Sequence, residues 1–223
     1  MAESPVTRTS VTRRGVVLGA LAVAGLGAAG VARAARLLAT PRQTAGPFYP
    51  SQIPLDADND LVRVNGRSER AVGEVTHVFG RILDPNGRPV PDVQVEIWQC
   101  DARGIYHHPG DPRDDADPNF QGFGRMTVGD SGGYRFRTIK PVPYPGRTPH
   151  IHFALLGRSL ARFTTQMYIA GHPLNEHDFV LNHIADPRDR QLLTVSFDPA
   201  PELEEGALKA NFDIVLGRAL TTG

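Results

Sequence analysis

Four side chains stand out by type and spacing: Tyr106, Tyr144, His150 and His152. His150-Ile151-His152-Phe153 alternates with the period of a β-strand, which puts both imidazoles on one face and Ile151 and Phe153 on the other. Residues two apart on a strand lie roughly 6.5–7 Å apart at Cα, near enough for two imidazoles to lean onto one ion. Without further ligands such a pair is a polar strand face and nothing more.

The two tyrosines are the candidates to complete a site. A phenol titrates at about 10, so it becomes a ligand only where a strongly charged cation displaces its proton. Ferric iron, hard and trivalent, rewards two phenolates beside two neutral imidazoles. Packing is the other reading of both tyrosines, since most are half-buried ring surfaces. Zinc is disfavoured: Cys100 is the single cysteine, so no cysteine pair exists for structural zinc, and no His-Glu-x-x-His helix is present either. A cupin-type site would carry a glutamate shortly after the histidines, and Ala154-Leu155-Leu156-Gly157 offers none.

The elements that must position these residues read as strands. The chain has 223 residues, 40% of them hydrophobic, with a formal net charge of zero and no basic stripe of the kind a nucleic-acid binder needs. Its 23 glycines and 19 prolines are spread as turn punctuation. Apolar alternation predicts strands over 75–83, 93–99, 133–139, 150–156, 163–169, 192–197 and 210–216. Asp84-Pro85-Asn86-Gly87 is a strong turn, so the first two strands are expected to pair like a hairpin. The fold class expected is all-β, an antiparallel β-sandwich with long functional loops. One such loop runs from Asp101 to Gly124 and carries Tyr106; residues 174–184 read as a short helix. His77, His172, His177 and His183 read as surface or satisfied polar positions, and Trp98 as packing.

Thr12-Arg13-Arg14, an uncharged run over 15–32 and Ala32-Arg33-Ala34 together read as a twin-arginine export signal. Residues 1–34 are therefore expected to be cleaved, giving a periplasmic or extracellular protein with no stable membrane association. Their removal takes Arg8, Arg13, Arg14, Arg33 and Glu3 and leaves a formal charge of −3. Residues 35–74 follow as an N-terminal arm, extended at Pro47 and Pro50, and 75–223 as the sandwich domain. One cysteine permits no intramolecular disulfide, and Cys100 reads as a buried, inert thiol.

Several motifs, in order, resemble the intradiol ring-cleavage dioxygenases. They are Gly46-Pro47-Phe48-Tyr49, Val95-Glu96-Ile97-Trp98-Gln99, Gly104-Ile105-Tyr106-His107-His108, Phe120-Gln121-Gly122-Phe123-Gly124-Arg125, Gly133-Tyr134-Arg135-Phe136, and Arg147-Thr148-Pro149-His150-Ile151-His152-Phe153. The resemblance implies a non-haem Fe(III) held by Tyr106, Tyr144, His150 and His152. Tyr106 and His150 would stay bound, and Tyr144 would leave as substrate binds opposite the axial His152. It further implies that Arg147 stabilises charge developing on the substrate ring, that Gln166 supports the site, and that the partners are a catechol-type molecule and O2. The expected reaction inserts both oxygen atoms between the hydroxylated carbons of catechol, protocatechuate or hydroxyquinol to give a cis,cis-muconate.

Only Pro145 and Gly146 separate Tyr144 from Arg147, shorter than in the protocatechuate enzymes, so one pocket wall is expected to be pared back and the ring substituents stay open. An oligomer stays open as well. The alternative reading is an exported, non-enzymatic transthyretin-like β-sandwich binding module, which residues 78–98 resemble.

Overall fold

The computed structural model describes residues 36–158 and 160–217; the export signal expected at 1–34 lies outside them. Alternating apolar residues form the long strands as expected: β1 (Val75–Leu83), β2 (Gln94–Trp98), β4 (Gly133–Ile139), β5 (His150–Gly157) and β6 (Leu160–Ile169). To these are added β3 (Phe123–Thr127), which begins within the predicted loop, and the short β7 (Thr194–Val195), β8 (Asp198–Pro199), β9 (Leu208–Asn211) and β10 (Ile214–Val215).

Two sheets result, and they face each other as a sandwich. In the first, β1 pairs antiparallel with β4 along its length and parallel with β9 and β10 at its two ends. The second runs β3-β2-β5-β6-β7. Two expectations are corrected. The sandwich is mixed, not purely antiparallel, because β9, β10 and β7 pair in parallel. Nor do β1 and β2 form a hairpin. The turn at 84–87 closes with Gly87 N donating to Asp84 O at 3.0 Å and Val90 N to Ile82 O at 2.9 Å, after which the chain crosses to the other sheet.

The inner core lies between the sheets and includes Ile97, Phe136, Ile151, Phe153 and Phe212, all buried. On β5 the alternation then sends His150, His152 and Ala154 to the outer face, which is buried too. It is covered by the arm: Gln43 N donates to Thr164 O at 2.9 Å, Thr165 Oγ1 to Pro41 O at 2.8 Å, and Phe48 and Tyr49 join a second cluster with Trp98, Tyr106, Phe123 and Ala154. Burying the outer face of a sheet this way converts a polar strand face into an enclosed polar site.

The helix expected at 174–184 is two pieces, a 3-10 turn at Pro173–His177 and α1 (Phe179–Asn182), each with its own side-chain cap. A second short helix, α2 (Pro187–Gln191), follows. Among the described residues no helix is long and apolar enough to cross a membrane.

Candidate metal centre

The period-2 reading of His150 and His152 holds in three dimensions. Their Nε2 atoms face each other at 3.1 Å, and both rings are buried. His150 Nδ1 lies 2.7 Å from the Thr148 carbonyl. A carbonyl only accepts, so Nδ1 carries the proton of the neutral ring and Nε2 presents its lone pair toward His152. The His152 ring is stacked on Trp98, with centroids 4.8 Å apart and planes 6° from parallel, and its Nδ1 has no partner. Trp98 is thus packing, as expected, and what it packs is a site residue.

The tyrosines close the ring. Centroid separations run 4.7 Å from His150 to His152, 6.4 Å from His152 to Tyr106, 5.5 Å from Tyr106 to Tyr144 and 5.5 Å from Tyr144 to His150. The Tyr106 hydroxyl is buried and unpaired; Tyr144 is near enough to perturb its ionisation without meeting hydrogen-bond geometry. A buried phenol without a partner costs about 1–3 kcal/mol.

Burial keeps all four donors in their neutral forms. Burial, with the Arg147 charge, pushes His150 down to about 3, and burial beside His150 holds His152 well below its ordinary value. Both imidazoles are neutral at pH 7. Burial raises Tyr106 well above the ordinary phenol value and raises Tyr144 against the opposing pull of Arg147. These phenols keep their protons unless a strong cation takes their place. Among the described residues no three His, Cys, Asp or Glu side chains gather as a metal cage. The donor set that does gather is two imidazoles and two phenols, and the facing Nε2 atoms of His150 and His152, together with the orphaned Tyr106 Oη, fit a ferric ion between them.

Tyr106 is fixed by its loop through carboxylates turned inward. Asp101 Oδ1 accepts from Arg103 N at 2.8 Å and Ile105 N at 3.0 Å, and its Oδ2 from Asp117 N at 2.8 Å. Asp111 Oδ2 accepts from Tyr106 N at 3.0 Å, and Arg113 clamps the same carboxylate at 2.7 and 2.8 Å while donating to Gly104 O at 2.8 Å. Gly104 has φ +78°, and a Cβ there would meet Pro143 O at 3.0 Å, so the loop presses against the segment that bears Tyr144. From the arm, Phe48 stacks on Tyr106 at 4.5 Å.

Arg147 stands where the sequence puts it, buried beside Tyr144. Its Nη2 donates to Gln166 Oε1 at 2.6 Å, its Nη1 to the Tyr144 hydroxyl at 3.4 Å and its Nε to Asp178 Oδ2 at 2.8 Å. Gln166 Nε2 in turn donates to Thr44 O at 2.9 Å, joining the site to the arm. Burial disfavours the Arg147 cation, but the Asp178 hydrogen bond and charge outweigh it and raise its pKa. All six residues expected at the site converge. A cleft of about 170 Å³ opens beside two of them, Tyr144 and Arg147, and is bounded further by Gly146, Leu174, His177 and Asp178.

Asp178, Tyr168 and Phe48 were not read as site residues from the sequence, and His177, read as surface, is exposed but borders this cleft. His77 takes the second of its two readings, a satisfied polar position: it is buried on β1, 3.0 Å from Arg135 Nη2 and 3.4 Å from Glu204. His107 and His108 stay outside the ring of donors, His108 Nδ1 accepting from Gly110 N at 2.9 Å. Cys100 is buried, its thiol pushed up to about 12 by burial, as an inert thiol should be.

A mixed β-sandwich that gathers two phenols and two imidazoles on the covered face of one strand defines the class. A family profile described as Dioxygenase matches residues 44–218, and the chain belongs to the intradiol ring-cleavage dioxygenase family. It is 41% identical over 192 residues to the protocatechuate 3,4-dioxygenase beta chain of Burkholderia cepacia, an alignment covering 81% of this chain and 80% of that one. It is 32% identical to the protocatechuate 3,4-dioxygenase alpha chain of Pseudomonas putida, over 69% and 81% of the two chains. Among solved structures, the dioxygenase domain of a dioxygenase carbohydrate-binding protein fusion from Streptomyces sp. SirexAA-E superposes with a TM-score of 0.62 at 28% identity, covering 80% of this chain and 98% of that one. The transthyretin-like alternative accounts for residues 78–98 and leaves the rest of the matched span unexplained.

Proposed function

We propose that the protein is an Fe(III)-dependent intradiol dioxygenase that opens a catechol-type ring between its two hydroxylated carbons, incorporating both atoms of O2 to give a cis,cis-muconate. The observation that carries this reading is the closed ring of Tyr106, Tyr144, His150 and His152, with facing imidazole nitrogens at 3.1 Å and an orphaned phenol. Those four side chains would hold the iron. Bound there, ferric iron supplies the Lewis acidity that makes a catecholate dianion reactive toward O2.

The chain's own groups do the rest. Tyr106, locked by Asp101 and Asp111, holds its place while Tyr144, half-buried on a two-residue turn, yields to the entering catechol and takes up one of its protons. Neutral His150 and His152 keep the site from accumulating positive charge at pH 7. The Arg147 guanidinium faces the ring as negative charge builds on it, an interaction whose loss costs about 2.7–4 kcal/mol in comparable sites. The cleft of about 170 Å³ is on the scale of the ~150 Å³ cavity that houses benzene.

Gly146 meets nothing within 4 Å of where a Cβ would be, which supports the expected pared-back wall and a ring substituent directed past it to solvent. The remaining parts of the proposal rest on the sequence: export and cleavage of residues 1–34, an arm at 35–74 and a domain at 75–223. An assembly of more than one chain is supported by the beta- and alpha-chain names of the two relatives.

Oxygen uptake by iron-loaded protein with catechol, protocatechuate and hydroxyquinol tests the activity. Uptake equimolar with ring cleavage is expected for at least one of them. An iron-loaded, folded protein inert toward all three contradicts the proposal.

A further inference from the structure

Asp178 is 1% exposed, and its two oxygens have separate duties. Oδ1 accepts from Leu181 N at 2.8 Å and caps α1. Oδ2 accepts from Arg147 Nε at 2.8 Å and from Thr148 N at 2.9 Å. A helix cap needs one oxygen, which asparagine or serine supplies as well. The cap therefore does not explain the carboxylate, and the second oxygen points at the arginine.

The donors of Arg147 can be accounted for one by one. Nε is held by Asp178, and Nη2 by Gln166 at 2.6 Å with Tyr168 at 3.5 Å. Among the described residues Nη1 reaches only the Tyr144 hydroxyl, at 3.4 Å. A guanidinium fixed on two edges is a planar fork with no rotation left, and its spare donor capacity faces Tyr144 and the cleft. The same Asp178 oxygen holds Thr148, whose carbonyl accepts from His150 Nδ1 at 2.7 Å.

We propose that Asp178 is a positioning residue for ring cleavage: by locking the Nε edge of Arg147 it aims Nη1 at the place where negative charge develops on the substrate. The 3-10 turn and α1 that carry Asp178 also bring Leu174 and His177 to the cleft wall, so one carboxylate ties the wall to the arginine. The assignment rests on the reading of Arg147 and Tyr144 as parts of a catechol site.

Asp178→Asn keeps a cap oxygen but sets an amide against Arg147 Nε; Asp178→Ser keeps a cap acceptor too short to engage the guanidinium. Both are expected to load iron and melt close to wild type while kcat with the best catechol falls about 10–100-fold, the range typical of groups that orient a metal site. KM is expected to change little, since the lost interaction belongs to the transition state. Arg147→Gln combined with Asp178→Asn is expected to be no slower than Arg147→Gln alone, because both act through one group. In metal-free, ¹⁵N-labelled protein the Arg147 Nε–H is expected to exchange slowly with water, and faster in Asp178→Asn.

A kcat within about twofold of wild type in both variants, an additive loss in the double variant, or failure of both to fold and bind iron would each overturn the assignment. Wild-type protein inactive toward every catechol would sink the proposed activity instead, and the Nε–H exchange would still decide whether Asp178 locks the arginine.

Discussion

The two tyrosines of the site are held in opposite ways. Tyr106 sits in a long loop yet is buried and over-determined: its backbone N–H is taken by Asp111, its preceding turn by Asp101, and its ring by Phe48. Tyr144 lies close to a strand end yet is half-exposed, on a turn closed by Arg147 N donating to Tyr144 O at 2.9 Å, with one long hydrogen bond to its hydroxyl. Loop against strand is therefore a poor guide to rigidity. What matters is how many buried donors and acceptors fix the residue, and by that measure Tyr106 is a fixture and Tyr144 a movable group.

Changes that erase the difference should have the largest effects. Tyr106→Phe removes the fixed phenol; iron content by elemental analysis is expected to fall sharply and activity by more than about 100-fold, beyond what loss of an outer partner costs. Tyr144→Phe should keep most of its iron and lose its proton carrier, lowering kcat by about 100-fold, the low end of a positioned acid–base group. Equal iron loss in the two variants would break the comparison.

Asp111→Ala attacks the support, leaving a buried Tyr106 N–H unpaired; a loss of about 1–3 kcal/mol is expected by chemical denaturation. Gly146→Trp probes the other side. With Gly146→Asn as the control for the positive φ, it is expected to lower kcat/KM for catechols with a bulky ring substituent about 10-fold relative to catechol itself. An unchanged ratio would mean that substituents leave the cleft elsewhere.

The smallest effect belongs to a region far from both tyrosines. Arg137 donates to Glu204 through two bonds of 2.7 Å and to Asp60 at 3.0 Å, pinning the acidic loop and the C-terminal segment to β4. Hydrogen bonding from Arg137 holds Glu204 below its usual value of 4.5. A depressed folded pKa contributes stability that is complete above the unfolded value and is lost as pH falls through the folded one. Glu204→Gln should therefore cost about 1 kcal/mol or less near pH 7, and the two stability curves should converge as the pH falls below 4.5 through the lowered folded value.

The core of the site was legible in the sequence because β5 carries its meaning in a period of two: Ile151 and Phe153 face the inner core, and His150 and His152 the covered face. Tyr106 was legible through its residue type and its motif, not through a pattern, since a loop held by inward-turned aspartates has no periodicity to read. The same aspartates hid β3, whose Gly124 lets the arm press in; a Cβ there would meet Leu61 Cδ1 at 2.5 Å. Parallel pairing of β9 and β10 with β1 joins residues more than 130 positions apart in sequence and leaves no local trace. Asp178 was hidden for a different reason: at an Asp before a short helix, the cap is read and the second oxygen is not.

The asymmetry of the two phenols is tested most directly by the tyrosinate-to-iron charge-transfer spectrum of the iron-loaded protein, recorded without O2 as catechol is added. Wild type is expected to be red-brown and to lose one of two tyrosinate contributions on binding, whereas Tyr144→Phe starts with one and keeps it. A colourless iron-loaded protein, or loss of the contribution that persists in Tyr144→Phe, would contradict the account.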